Sequence, residues 1–112
     1  MHYRELTVWQ KSIDLVETIY KFTKEFPKDE QFGLMSQMRR SAVSISSNIA
    51  EGSRRRGKDV DQFLSIAFGS GSELETQLII SERLKYGDSA LRKKAEDCLT
   101  EILKMLNKMI YG

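Results

Sequence analysis

The stretch Gln37 to Gly57, QMRRSAVSISSNIAEGSRRRG, constrains the fold more than any other part of the chain, because two helical stripes overlap in it. Met35, Met38, Ala42, Ile45, Ile49 and Gly52 recur at spacings of three and four, the period of one face of an α-helix packed against other helices. One position earlier run Gln37, Ser41, Ser44, Asn48 and Glu51 at the same spacings, all small or polar. A solvated face would be filled with Lys, Glu and Arg, whereas Ser and Asn are mediocre helix formers. The second stripe therefore predicts a second contact between helices.

Periodicity divides the remainder of the chain into three more helices. Trp9, Ile13, Val16, Tyr20 and Phe26 predict a first helix over about 7–25, opened by a capping box of Thr7 with Gln10 and stopped by Pro27. Leu15, Ile19 and Phe22 widen its apolar face beyond one stripe, which points to burial by a neighbouring subunit as well as by the bundle. Asp29 and Glu30 suit the positive end of the second helix, which runs to 51 or 53. Val60, Leu64, Ala67, Gly71, Leu74, Leu78 and Ser81 mark a third helix over about 59–84. Its glycines, at roughly 1 kcal/mol each against alanine, need a compensating close approach. A hairpin turning near Arg56 would set Ala42 level with Gly71 and Ser41 level with Ser70, with Ser70, Glu73 and Gln77 facing the polar stripe of helix two. After a turn and cap at Gly87, Asp88 and Ser89, a fourth helix spans about 90–111, with Leu91, Ala95, Cys98, Ile102, Met105 and Met109 as its core stripe. Short connections between periodic helices predict an all-α, up-down-up-down four-helix bundle, one domain over residues 1–112.

Bulk properties and missing residue types narrow the chemistry. The formal net charge of +2 gives no whole-protein argument for nucleic acid. One cysteine excludes an internal disulfide, and no apolar run approaches the roughly 18 residues of a membrane span, so the expectation is a cytoplasmic protein without a membrane partner. His2 is the sole histidine, so the paired Glu-x-x-His ligands of di-iron bundles and the Cys/His sets of zinc sites cannot be assembled. Cys98 has no histidine to activate it and reads as a packed structural thiol. Gly69 and Gly71 lie within a helical pattern and lack the Lys-Ser/Thr ending of a phosphate loop. No catalytic residues, cofactor or metal are expected.

Two sets of residues remain as candidate sites. Ser44, Asn48, Glu51, Ser70, Glu73 and Gln77 form a polar seam that either fixes helix register, holds an oligomer together, or surrounds a ligand site. Glu51 also lies close enough to Arg54 and Arg55 to neutralise them locally. The basic set is Arg54, Arg55, Arg56 and Lys58 at the hairpin turn, with Arg39 and Arg40 roughly 22 Å away along the same helix. Residues 27–60 carry seven basic and four acidic side chains, so one end of the bundle is modestly basic. In the hairpin register Arg39 and Arg40 fall near Glu73 and Glu75 and should pair with them, whereas the triple-arginine turn has no evident partner. That turn is the candidate RNA contact.

The runs LTVWQKS, QMRRSAVSISSNIAEGSRR and FLSIAFGSGSELETQL resemble the bacterial four-helix-bundle proteins encoded in intervening sequences of 23S ribosomal RNA genes. NIAEG at 48–52 and GSELET at 71–76 are the most specific segments. Many relatives carry a proline where Ser46 stands, so a kink there is not carried over. The resemblance implies a cytoplasmic homo-oligomer, a ring of five. It extends distantly to the accessory variability protein of diversity-generating retroelements, which binds a reverse transcriptase and RNA. The resemblance thus favours an RNA-associated binding module; the alternative is a scaffold for protein partners, whose polar seam holds subunits together while the arginines only keep it soluble.

Overall fold

A computed structural model describes residues 2–112. Four helices, α1 (Thr7–Thr23), α2 (Leu34–Ser53), α3 (Lys58–Arg83) and α4 (Ser89–Tyr111), form an up-down-up-down four-helix bundle. Single 3-10 turns at Tyr3–Glu5 and Lys28–Glu30 precede α1 and α2. Each helix packs on two neighbours in the cyclic order α1, α2, α3, α4, and the backbones of the diagonal pairs stay apart among the described residues. The core runs through the middle as Leu15, Ile19 and Phe22 of α1, Met38, Ile45 and Ile49 of α2, Leu74 and Leu78 of α3, and Leu99, Ile102 and Leu106 of α4. No helix among the described residues is long and apolar enough to cross a membrane.

The helix ends follow local chemistry, not always as the sequence suggests. The Thr7–Gln10 capping box does not form: Leu6 is the cap residue without a side-chain bond, and the Gln10 amide instead donates to the Arg4 carbonyl of the preceding turn at 2.9 Å. α2 begins at Leu34, later than Asp29 and Glu30, because residues 28–30 form the separate turn. Glu30 still serves the helix, its Oε1 accepting from the Leu34 N–H at 3.2 Å, so the acidic group stands at the positive end as the dipole favours. Asp88 caps α4 as its sequence suggests, with Oδ1 accepting from the amides of Ala90 (2.7 Å) and Leu91 (3.1 Å). Just before it, Gly87 takes φ +74° where a Cβ would come within 2.6 Å of the Phe22 ring.

Two faces are rotated from their predicted positions. On α1 the fully buried stripe is Val8, Leu15, Ile19 and Phe22, while Trp9, Ile13 and Val16 are half-buried and Tyr20 is exposed. On α4 the core is carried by Leu99 and Leu106 with Ala95 and Ile102, leaving Cys98 and Met105 at the boundary and Met109 exposed. The Cys98 thiol donates to the Lys11 carbonyl at 3.4 Å, and burial pushes its pKa up.

The predicted meeting of Ala42 with Gly71 is also corrected. A Cβ on Gly71 would stand 2.6 Å from Leu103 Cδ2 and 3.5 Å from Leu99, so this glycine makes room for α4 and not for α2. The tight α2–α3 approach is at Gly52, where a Cβ would lie 3.2 Å from the Phe63 Cβ and 3.5 Å from the Val60 carbonyl. Gly69 has open space around it.

Candidate nucleic-acid interface and polar seam

The polar stripe of α2 faces α3, as its composition suggests, but with a different partner for Ser70. Ser70, buried, shares a 2.8 Å hydrogen bond with Ser44 and not with Ser41. Asn48 donates to the Ser44 carbonyl at 2.8 Å and to its hydroxyl at 3.1 Å. A cleft of about 430 Å³ opens beside this contact, lined by Gln37, Arg40, Ser41, Ser44, Ser70, Glu73 and Gln77. Gln77 is 9% exposed, yet its Oε1 has no hydrogen-bond partner. An unpaired buried amide oxygen costs about 1–3 kcal/mol, so Gln77 is the unsatisfied member of the seam. Glu51 does not join it. Its carboxylate turns along α2 to the Arg55 guanidinium, the local neutralisation that adjacent arginines allow.

The predicted ion pairs of Arg39 and Arg40 with Glu73 and Glu75 are absent. Arg39 points to α1: Nε donates to Thr23 Oγ1 at 2.9 Å, Nη2 to the Tyr20 carbonyl at 3.3 Å, and the guanidinium lies 4.3 Å from the Tyr20 ring centre. This arrangement uses the planar fork and the flat face that distinguish arginine from lysine. Arg40 is exposed on the rim shared by the polar cleft and a neighbouring groove. Neither arginine has an acidic partner within 4.0 Å among the described residues.

Arg54 to Gly57 form the turn between α2 and α3, with Gly57 at φ +63°, a conformation that favours glycine. Arg54, Arg55, Arg56 and Lys58 are all exposed. Arg55 is neutralised by Glu51 and lies 5.1 Å from the Phe63 ring centre, so the turn is not free of partners throughout. Arg54 lies 5.5 Å from the Tyr3 ring centre, while Arg54, Arg56 and Lys58 have no carboxylate within 4.0 Å among the described residues. The topology brings the start of α1 and the end of α4, with exposed Lys104 and Lys108, to this same end. Arg39 and Arg40 lie up the flank and do not belong to this cluster.

A third polar contact escaped sequence reasoning. Ser46 Oγ donates to Ser12 Oγ at 2.9 Å, and Ser12 Oγ donates to the Trp9 carbonyl at 2.6 Å, both serines being buried between α1 and α2. Ser46 lies off the polar stripe. The available signal was a small residue in each of two facing helices, at positions where long polar side chains would not fit. Among the described residues no group of three His, Cys, Asp or Glu side chains could hold a metal ion.

A sequence profile of 23S rRNA-intervening sequence proteins matches residues 4–108. The chain belongs to this family. A solved structure similar to it is the crystal structure of a protein of unknown function from the S23 ribosomal protein family of Bacteroides thetaiotaomicron VPI-5482. The two share 28% sequence identity with a TM-score of 0.83, over 95% of this chain and 100% of the other. No curated protein matches the sequence.

Proposed function

We propose that this protein is a non-enzymatic RNA-binding module, acting as a cytoplasmic homo-oligomer, with five copies the number its family resemblance implies. The observation that carries the reading is the α2–α3 turn: Arg54, Arg56 and Lys58 project from one end of the bundle without carboxylate partners, beside the half-buried rings of Tyr3 and Phe63. Arginine and lysine without local neutralisation favour phosphate, and adjacent rings can stack on unpaired bases. Repeating the turn around an oligomer supplies the positive charge that a single subunit with net charge +2 lacks. A lone N-terminal histidine and a cysteine whose pKa is pushed up offer no activated acid, base or nucleophile, which supports a binding role.

The test is direct binding to structured ribosomal RNA at low salt. The variant R54S/R55S/R56S should keep its helical fold, because exposed turn substitutions usually change stability by less than about 0.5 kcal/mol. It should lose roughly tenfold or more in affinity as several phosphate contacts disappear. Unchanged binding would remove the turn from the interface and direct attention to Arg39 and Arg40. A second reading, a protein-partner scaffold without RNA, is favoured by the exposed Phe32 and the groove beside it, and predicts no RNA binding by the wild-type protein.

A further inference from the structure

Gln77 lines the α2–α3 cleft while only 9% exposed, and its side-chain oxygen accepts no hydrogen bond from the protein. An unpaired buried amide is costly, and the last torsion of a glutamine is soft, so a small rotation turns that oxygen to whatever occupies the cleft. The residues around it are sorted by chemistry. Glu73 precedes Gln77 by four positions, one helical turn, so the α3 wall offers a carboxylate and an amide oxygen side by side. The α2 wall offers donors instead, the Arg40 guanidinium with the Ser41 hydroxyl next to it. Arg40 and Glu73 are the charged members of the lining, and their formal charges cancel.

These two charges face each other without pairing. The Ser44–Ser70 bond closes the cleft on the side of the α2–α3 turn and sets the register, which brings Ser41 about level with Glu73 and Gln37 about level with Gln77. Arg40 adjoins Ser41, so guanidinium and carboxylate stand on opposite walls at nearly one height. Even so, Arg40 and Glu73 are not within 4.0 Å of each other, nor of any other group of opposite charge among the described residues. The space that separates the walls, about 430 Å³, is in the range of small-molecule sites. An anion placed there would meet Glu73, and a cation would meet Arg40, each a repulsion at close range. A molecule that carries both charges a few bonds apart meets only attraction.

We infer that the α2–α3 cleft binds a small zwitterion of the α-amino-acid class. The ligand carboxylate accepts from Arg40 and Ser41, and the ligand ammonium donates to Glu73 and to the Gln77 oxygen. Such charge-assisted hydrogen bonds are the strong ones, and the planar fork of arginine matches a carboxylate. Gln37, at the end away from the Ser44–Ser70 bond, leaves that end polar and uncharged for the ligand's own side chain. The cleft is roughly 20 Å along α2 from the arginine turn, so this is a second site that does not rest on RNA binding.

Titration of the isotope-labelled full chain with free L-glutamine, whose side chain is polar and uncharged, tests the site through the side-chain amide NMR signals. Q77L identifies the Gln77 signals by their loss. In the wild type these signals should shift and saturate with a Kd in the millimolar range. Glutaramate, which lacks the ammonium, and γ-aminobutyramide, which lacks the carboxylate, should each bind about tenfold more weakly or worse. R40Q and E73Q should each weaken L-glutamine binding by a similar factor, with cooperative thermal melts retained because both positions are exposed. The titration contains no RNA, so failure of the RNA reading and failure of this one are separate results. Either half-molecule binding as tightly as L-glutamine would overturn the zwitterion, and unchanged affinity in R40Q or E73Q would overturn the assigned walls. No saturable shift with L-glutamine would leave the Gln77 amide to bound water and overturn the site.

Discussion

α2 makes two serine contacts, one on each side, and they behave differently. Toward α1, Ser46 and Ser12 close on each other and on the Trp9 carbonyl, with 7% and 0% exposure, so both hydroxyls are bonded and no space remains. Toward α3, Ser44 and Ser70 make a bond of similar length, 2.8 Å, but Gln37, Arg40, Glu73 and Gln77 stand around it and leave a cleft. The first contact is sealed by short side chains on both helices. The second is held open by long ones, and it contains a buried amide oxygen with no partner. Polar residues between helices are thus not one category: the sealed pair fixes packing, while the open seam keeps a buried hydrogen-bonding group unused.

Three substitutions separate these roles, and all can be read from thermal or denaturant melts. Ser12→Leu forces three extra carbons into a fully buried site and should cost about 1–3 kcal/mol, several degrees of melting temperature for a chain of this size. An unchanged melt would mean that the α1–α2 contact has room and is not sealed. Gln77→Leu, in the open seam, should act in the opposite direction. It removes an unpaired oxygen, so stability should hold or rise by up to about 1 kcal/mol. A loss larger than that would show that the amide is satisfied in solution and that the seam is closed by something bound to it. Ser44→Ala should have the smallest effect, about 0.5 kcal/mol, because Ser70 lines the cleft and can turn to water, while Asn48 keeps its bond to the backbone carbonyl of residue 44. A cost near that of Ser12→Leu would erase the distinction.

The bundle and most of its helix ends were legible in the sequence because periodicity, Pro27 and the Asp88 cap act locally; the start of α2 was not, since the turn at Lys28–Glu30 carries the acidic pair outside the helix. The α2 and α3 stripes hold at Ala42, Ile45, Ile49, Leu64, Leu74 and Leu78, all buried, while Met35 and Val60 at their outer ends are half-buried. The α1 and α4 faces were not, because each helix has apolar residues on more than one stripe and spacing alone cannot choose between Cys98 and Leu99. Pairings between helices were the least legible. Small residues at Ala42 and Gly71 suggested a mutual contact, yet Gly71 accommodates Leu103, a neighbour that no α2–α3 pattern contains. Likewise Arg39 was assigned to distant glutamates but found Tyr20 and Thr23 on α1, since a long side chain can reach either flank of its helix. At the turn, Arg55 was taken by Glu51 one helical turn back, a pairing that its four-residue spacing permits.

The central claim is that RNA is held electrostatically by the partnerless cations of the α2–α3 turn. The measurement that addresses it most directly is wild-type affinity for structured ribosomal RNA across a salt series from about 50 to 200 mM. Because each phosphate contact releases counterions, log affinity should fall linearly with log salt. Arg54, Arg56 and Lys58 from even one subunit should give a slope of magnitude about two to three, and an oligomer a steeper one. A flat response, or no binding at the lowest salt, would contradict the claim and leave the protein a scaffold whose arginines serve only its solubility.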